Sequence, residues 1–239
     1  MTDSVERPSL EKIPEPRIGV LREDEVEAYL PRIAQVYIQA FAGEPWYEVS
    51  MCADENQPKR CASGFSPLEV GEVCPHCQKT LTEAAYKPEE LQHHMHGIMQ
   101  KRPTAWYVEE TLVDGEEKLA LTAFAWTTTS VSLVAEKYKG DQNMLAFFEK
   151  LFPQEEQFMW LDEIFADRRN VRPEGNMKHF RAAMTSMARK LGVRKLAFRT
   201  INPKVITPAL RSFSNAKLYQ KPEVPDWRSV IVIDVDEES

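Results

Sequence analysis

The chain has 239 residues, of which 43% are hydrophobic, 28% charged and 10% aromatic, with a formal net charge of −7. That length and balance fit one large globular domain, or one carrying a small insert, and exclude a disordered or low-complexity chain. The acidic charge argues against a free-standing binder of duplex DNA, which is usually basic, and is compatible with a cationic or amine substrate. The longest mostly apolar stretch, Leu119 to Trp126, is far short of the ~20 residues a membrane-spanning helix needs. Met1 to Arg7 lack the basic start and apolar core of a signal peptide, so the expectation is a cytoplasmic protein with reduced cysteines.

Residues 1–17 are polar and proline-containing and read as a flexible tail. Ile18 to Leu21 is a short apolar run with strand character. Val26, Leu30, Ile33, Val36, Tyr37, Ala40 and Phe41 then recur at three- and four-residue steps, which predicts a helix with an acidic first turn. Pro31 should kink or split it, and Gly43 and Pro45 should end it. Residues 51–100 hold all four cysteines and read as an insertion, closed by a helix over 87–100. Beyond it, 105–112 and 118–129 read as two strands joined by the turn signal Asp114-Gly115. A short amphipathic helix lies within 138–152, a strand over 157–167, and a helix over 175–191 with Gly192 as its C-terminal cap. A strand (194–200), a helix (204–213) and a last strand (227–235) complete the chain. This order predicts an α/β (α+β) fold: a mixed, twisted sheet with helices on both faces, built from 18–50 and 101–239 and interrupted by the insert.

The cysteines Cys52, Cys61, Cys74 and Cys77 are spaced C-x8-C-x12-C-x2-C, and Cys74-Pro75-His76-Cys77 is a tight thiolate knuckle. Two sulfurs two residues apart can face one ion, and four thiolates saturate tetrahedral zinc, which predicts a structural, zinc-ribbon-like site. A segment so poor in large apolar side chains needs such a staple. Sites that exchange one cysteine for His76, His93, His94 or His96 stay open. A redox pair at Cys74 and Cys77 would leave Cys52 and Cys61 unexplained.

The stretch from Trp160 to Lys178 reads as a strand, a basic turn with Arg168, Arg169 and Arg172, a glycine at position 175, and a helix. A helix N-terminus presents unpaired N–H groups and a positive dipole end, and Gly175 would let backbone approach an anion closely. The pattern predicts a phosphate-bearing ligand. Neither G-x-G-x-x-G nor G-x4-G-K-[ST] is present, which excludes the usual dinucleotide and P-loop fingerprints.

These residues resemble the Gcn5-related N-acetyltransferase (GNAT) superfamily, in which the fourth strand leads to an R/Q-x-x-G-x-G/A turn and a helix. Here the match is Arg172-Pro173-Glu174-Gly175-Asn176-Met177, with Met177 at a position where the family has a small residue. Leu161 to Ala166 fits the preceding strand, and Phe41-Ala42-Gly43-Glu44-Pro45-Trp46 resembles the end of the family's first helix. The resemblance implies acetyl-CoA as co-substrate. Its pantetheine arm would lie along the splayed strand edge at Ile164, Phe165 and Ala166, with its pyrophosphate at Arg172, Gly175, Asn176 and Met177, and with Asn202 near the pantetheine. A carboxylate would take the proton of the acceptor amine. Asp162 and Glu163 are the candidates, with Glu163 preferred; adjacent strand residues point to opposite faces, so one of them should face the acceptor. The family's tyrosine acid falls on Phe213 here, which leaves Tyr219 as candidate.

Two functions follow. The first is an N-acyltransferase acting on a small-molecule or protein amine. The second is a catalytically weak relative that binds coenzyme A or docks a protein partner through the zinc unit. A nucleic-acid-binding ribbon is disfavoured, because Lys59, Arg60 and Lys79 face Glu55, Glu69, Glu72 and Glu83 in the same segment.

Overall fold

The structure, a computed structural model, describes residues 17–41, 51–52, 73, 78, 82–83, 86–153, 155–166, 176–200, 203–220 and 228–235. Their elements are Ile18–Val20 (β1), Glu23–Phe41 (α1), Met51–Cys52 (β2), Thr82–Glu83 (β3), Pro88–Met99 (α2), Thr104–Val113 (β4), Glu116–Thr128 (β5), Ser130–Lys137 (α3), Gln142–Leu151 (α4), Phe158–Ala166 (β6), Asn176–Leu191 (α5), Lys195–Thr200 (β7), Pro203–Ser212 (α6), Lys217–Tyr219 (β8) and Ser229–Asp234 (β9).

Seven strands form one sheet in the order β1-β4-β5-β6-β7-β9-β8. Every neighbouring pair is antiparallel except β6 and β7. A parallel pair needs a long crossover, and α5 supplies it. The mixed sheet with helices on both faces is the expected architecture.

Alternation along the central strands builds two different cores. One face carries Trp106, Phe124, Trp126, Phe158 and Trp160 and packs with Ile33 and Val36 of α1, Met95 and Ile98 of α2, Leu133 of α3 and Phe148 of α4. The other carries Ala105, Ala123, Ala125, Met159 and Leu161 against Phe180, Met184 and Met187 of α5 and Ala209 of α6. Large aromatic side chains fill the space under four helices, while the alanines let α5 lie close to β4 and β5.

Several expectations change here. Pro31 lies inside α1, which is one continuous helix. Val26 and Leu30 before it, and Ile33, Ala34 and Val36 after it, are all buried, so both halves are held on the sheet and their packing offsets one missing hydrogen bond. The strand expected to run through Thr129 stops at Thr128, and Thr129 instead caps α3 by accepting from the Ser132 amide at 3.3 Å. Asp141 caps α4 in the same way, accepting from Asn143 and Met144; α4 is the short helix expected within 138–152, while α3 was not foreseen. Strand β8 was not foreseen. Helix α2, assigned to the insert, sends Met95 and Ile98 into the main core. Of the insert's interior little is described, but the β2–β3 ribbon pairs its first residues, Met51 and Cys52, with Glu83 and Thr82 ahead of α2.

The edge of the sheet is tied by charge. Glu110 is buried and accepts from Arg32 Nη1 (2.7 Å), the Tyr29 hydroxyl (3.1 Å) and the Arg17 amide (3.1 Å). Arg17 also grips Glu25 with both guanidinium ends at 2.7 Å, and the Arg22 amide donates to the same carboxylate. The Arg17 hydrogen bond, seconded by that amide, pulls the Glu25 carboxyl down to about 2. A depressed carboxyl stabilises the fold above its unfolded value, and that contribution is lost as pH falls toward 2. Glu25→Gln should therefore melt at a lower temperature than the parent near neutrality, and the gap should close between about pH 5 and about pH 2. Melting curves across that range check it; a gap that stays constant contradicts it.

Candidate active site

The site grows out of the one parallel junction. Strands β6 and β7 pair only at Met159 with Leu196 and Trp160 with Ala197. Beyond that short ladder β6 continues to Ala166 and β7 to Thr200. Among the described residues the ladder between them extends no further, which leaves an opening in the pairing in the middle of the sheet. Alternate peptide groups of 161–166 face it, while the others pair with β5. An extended, amide-bearing chain can add there as an extra strand.

The β5–β6 register has a defect at this point. Phe124 opposes Glu163 and Ala125 opposes Leu161, so Asp162 is the extra residue of a β-bulge. Leu161 and Ile164 both belong to the α5-side core. Cross-strand partners share a face, so Glu163 stands with Phe124 on the α1 side. Asp162 is on that side too, since its Oδ1 accepts from Trp160 Nε1 at 3.3 Å and from Lys137 Nζ of α3 at 2.8 Å. The expectation that the two carboxylates point to opposite faces is thus corrected: the bulge inserts a residue and shifts the phase, bringing both to one face.

Their surroundings differ. Asp162 is locked, its side chain 13% exposed beneath the 22%-exposed Lys137, whose ammonium also lies 4.8 Å from the Trp126 ring. Glu163 is half-buried above Phe124, whose ring stacks on Trp106 at 4.1 Å. Phe165, two residues on and also on the α1 side, meets Tyr37 edge-on at 5.2 Å. Ile164 and Ala166 pack on the α5 side.

Helix α5 opens with Asn176 and Met177, has no acidic residue in its first turn and carries Arg189 and Lys190 in its last. That charge order leaves the N-terminal end positive. Arg172, Gly175 and Asn202 lie outside the described residues, and of Asn176 and Met177 only the backbone is described.

Tyr219 does not join this group. It sits in β8 opposite Val230 and packs edge-on against Phe147 at 5.5 Å. In the sheet order β7 and β9 both stand between β8 and β6. Phe213 is buried on the other side of the sheet, 6.5 Å from Phe180. Lys137 was missed by sequence reading because it lies in a helix hidden by its β-branched neighbours. The bulge has no period-2 signature at all.

Among the described residues no cluster of histidine, cysteine or acidic side chains could hold a metal. Cys61, Cys74 and Cys77 lie outside those residues, and of Cys52 only the β2 backbone is described. His93 and His94 are exposed on α2, while His96 is half-buried, 3.7 Å from Glu27. Among the described residues no helix is long and apolar enough to cross a membrane.

No family model matches the chain, and no curated protein matches it either. Solved structures do resemble it. A mosquito arylalkylamine N-acetyltransferase-like 5b is 12% identical, with 91% of this chain and 99% of that one covered at a TM-score of 0.49. The Drosophila melanogaster polyamine N-acetyltransferase is 10% identical, with coverages of 91% and 98% at a TM-score of 0.47. The PaiA N-acetyltransferase of Thermoplasma acidophilum, solved in complex with coenzyme A, is 7% identical, with coverages of 92% and 99% at a TM-score of 0.43. Likenesses at this level carry no argument about chemistry, which has to come from the site.

Proposed function

We propose that this chain is an acetyl-CoA-dependent N-acyltransferase that moves an acetyl group to an amine, on a small molecule or a protein. The observation that carries the reading is the opening between β6 and β7, with a bulged pair of carboxylates on one wall and a positively poled helix following the same strand. An extended chain of pantetheine shape suits the free edge at Ile164, Phe165 and Ala166. The turn with Arg172 and Gly175, together with Asn176 and Met177 at the start of α5, is proposed to take its pyrophosphate, and Asn202 to lie beside the pantetheine.

Glu163 is the proposed base. It removes the ammonium proton, directly or through water, because only the neutral amine has a lone pair for attack. The amine nitrogen then bonds to the thioester carbonyl carbon, the carbon–sulfur bond breaks, and the nitrogen sheds its extra proton while the departing thiolate takes one up, giving amide and free thiol. A thiol ionises near 8.5, so this leaving group needs little acid help, and Tyr219, three strands away, has no part in the proposal. Asp162 is held by Lys137 and is the weaker candidate for base.

The test is release of free thiol from acetyl-CoA in the presence of a panel of primary amines. Turnover with at least one amine supports the reading; binding of acetyl-CoA with no turnover of any amine would favour a module that binds coenzyme A only. Zinc held by Cys52, Cys61, Cys74 and Cys77 is a separate proposal. Elemental analysis of the purified protein should give one zinc per chain, and a folded chain without zinc would end that assignment.

A further inference from the structure

We infer that Lys137 is a positioning residue for the proposed base: by neutralising Asp162 it relieves the neighbouring Glu163 carboxyl of a like charge, and so widens the pH range over which Glu163 is ionised and can accept a proton. The inference rests on the reading of Glu163 as base. It starts from the bulge, which places Asp162 and Glu163 side by side on one face of β6 instead of on opposite faces. Two adjacent, partly buried carboxylates repel, and that repulsion raises the proton affinity of one of them. A base forced upward in this way stays protonated to a higher pH and loses activity at the acidic end of its range.

The structure places the remedy at 2.8 Å. Lys137 Nζ binds Asp162 Oδ1, and the Trp160 indole donates to the same oxygen at 3.3 Å. The Trp126 ring lies under the ammonium, 4.8 Å from it. With both partners largely removed from water, the pair behaves as a fixed dipole with no net charge beside Glu163. Among the described residues, the other charged or titratable groups on this face include Tyr29 and Tyr37 of α1, Arg102, which lies 5.2 Å over the same Trp126 ring and pairs with Glu136 of α3, Tyr138 at the end of α3, Arg199 of β7 stacked 5.2 Å over the Tyr138 ring, and Tyr219 of β8. The same groups are present in the parent, in both single variants and in the double variant, so a double-mutant cycle isolates the pair.

The experiment reads the Glu163 carboxyl in two ways. One is the pH profile of kcat/KM with acetyl-CoA and a primary amine the parent enzyme uses. The other is the carbon-13 NMR titration of the Glu163 side chain, which needs no substrate. Lys137→Met leaves an uncompensated anion and should move the Glu163 titration up by about one pH unit. Asp162→Asn leaves an uncompensated cation and should move it down by a similar amount. The double variant should return to within a few tenths of the parent, and Lys137→Arg should stay there. A tie that only fastens α3 to the sheet would not give opposite shifts that cancel. Shifts of the same sign, or a double variant that does not return, overturn the inference. Should Lys137→Met not fold, Asp162→Asn alone decides: a fall supports the inference, and a rise or no change overturns it. Should no amine be turned over, the base assignment fails, while the NMR titration still decides whether Lys137 sets the Glu163 carboxyl.

Discussion

Glu163→Gln should lower kcat by roughly 100-fold or more while leaving the affinity for acetyl-CoA within about twofold of the parent. The amide keeps the size and hydrogen-bonding reach of the carboxyl but cannot take a proton at neutral pH. Glu163 is half-buried on the α1 side of β6, on the wall of the opening, so its loss should strike the chemical step and spare the strand edge that the co-substrate would occupy. Steady-state kinetics paired with calorimetric titration separates the two effects. Unchanged kcat would clear Glu163 of the role. A loss confined to acetyl-CoA affinity would move it from the base to the binding surface.

The second large effect concerns the frame that holds the opening in shape. Phe158 begins β6, is fully buried and stacks on Phe152 with ring centroids 3.8 Å apart and an interplanar angle of 14°. Phe148 lies 6.4 Å away, nearly parallel to it. Phe158→Ala removes a whole ring from this aromatic layer and leaves a cavity that Phe152 and Phe148 cannot easily close. The expected cost is about 3–5 kcal/mol, a large share of the 5–15 kcal/mol that holds an ordinary domain folded. Denaturant unfolding should show a much lower midpoint with little change in slope. A loss under about 1 kcal/mol would mean that this layer is far looser than its geometry implies.

How much of this was legible in the sequence depends on the kind of signal. The hairpin was, because Asp114 and Gly115 both adopt positive φ, at 54° and 80°, and that dipeptide is the residue pair such a turn favours. Helix α5 was legible from its apolar stripe and from Gly192, whose φ of 69° is the left-handed conformation of a helix end. Helix α3 was hidden because the β-branched Thr127, Thr128 and Thr129 prolong the strand's apolar stretch as further strand; only the capping oxygen of Thr129 marks the change, and a single cap is a weak sign beside a strong strand pattern. The three-residue strand β8 is too short to establish any period.

At the site, chemistry was easier to read than geometry. The carboxylate pair, the apolar strand and the basic turn were visible as residue types. Which face each carboxylate takes was not, because strict alternation assumes an unbroken ladder and the register slips between Phe124 and Ala125. The ion pair joining Lys137 to Asp162 links residues 25 positions apart in sequence, brought together only when α3 packs over β5 and β6. The distance of Tyr219 from β6 follows from strand order, which depends on where the last strand enters the sheet.

Hydrogen–deuterium exchange with and without acetyl-CoA tests the central claim most directly. Backbone groups along 161–166 that face the opening between β6 and β7 should gain hydrogen-bond partners when the pantetheine chain lies beside them. Exchange in the peptide covering 161–166 should then slow markedly on adding saturating acetyl-CoA, while the paired end of β6 at Met159 and Trp160 should stay as protected as before. Saturable binding with no change in that peptide, or no binding at all, would contradict the account.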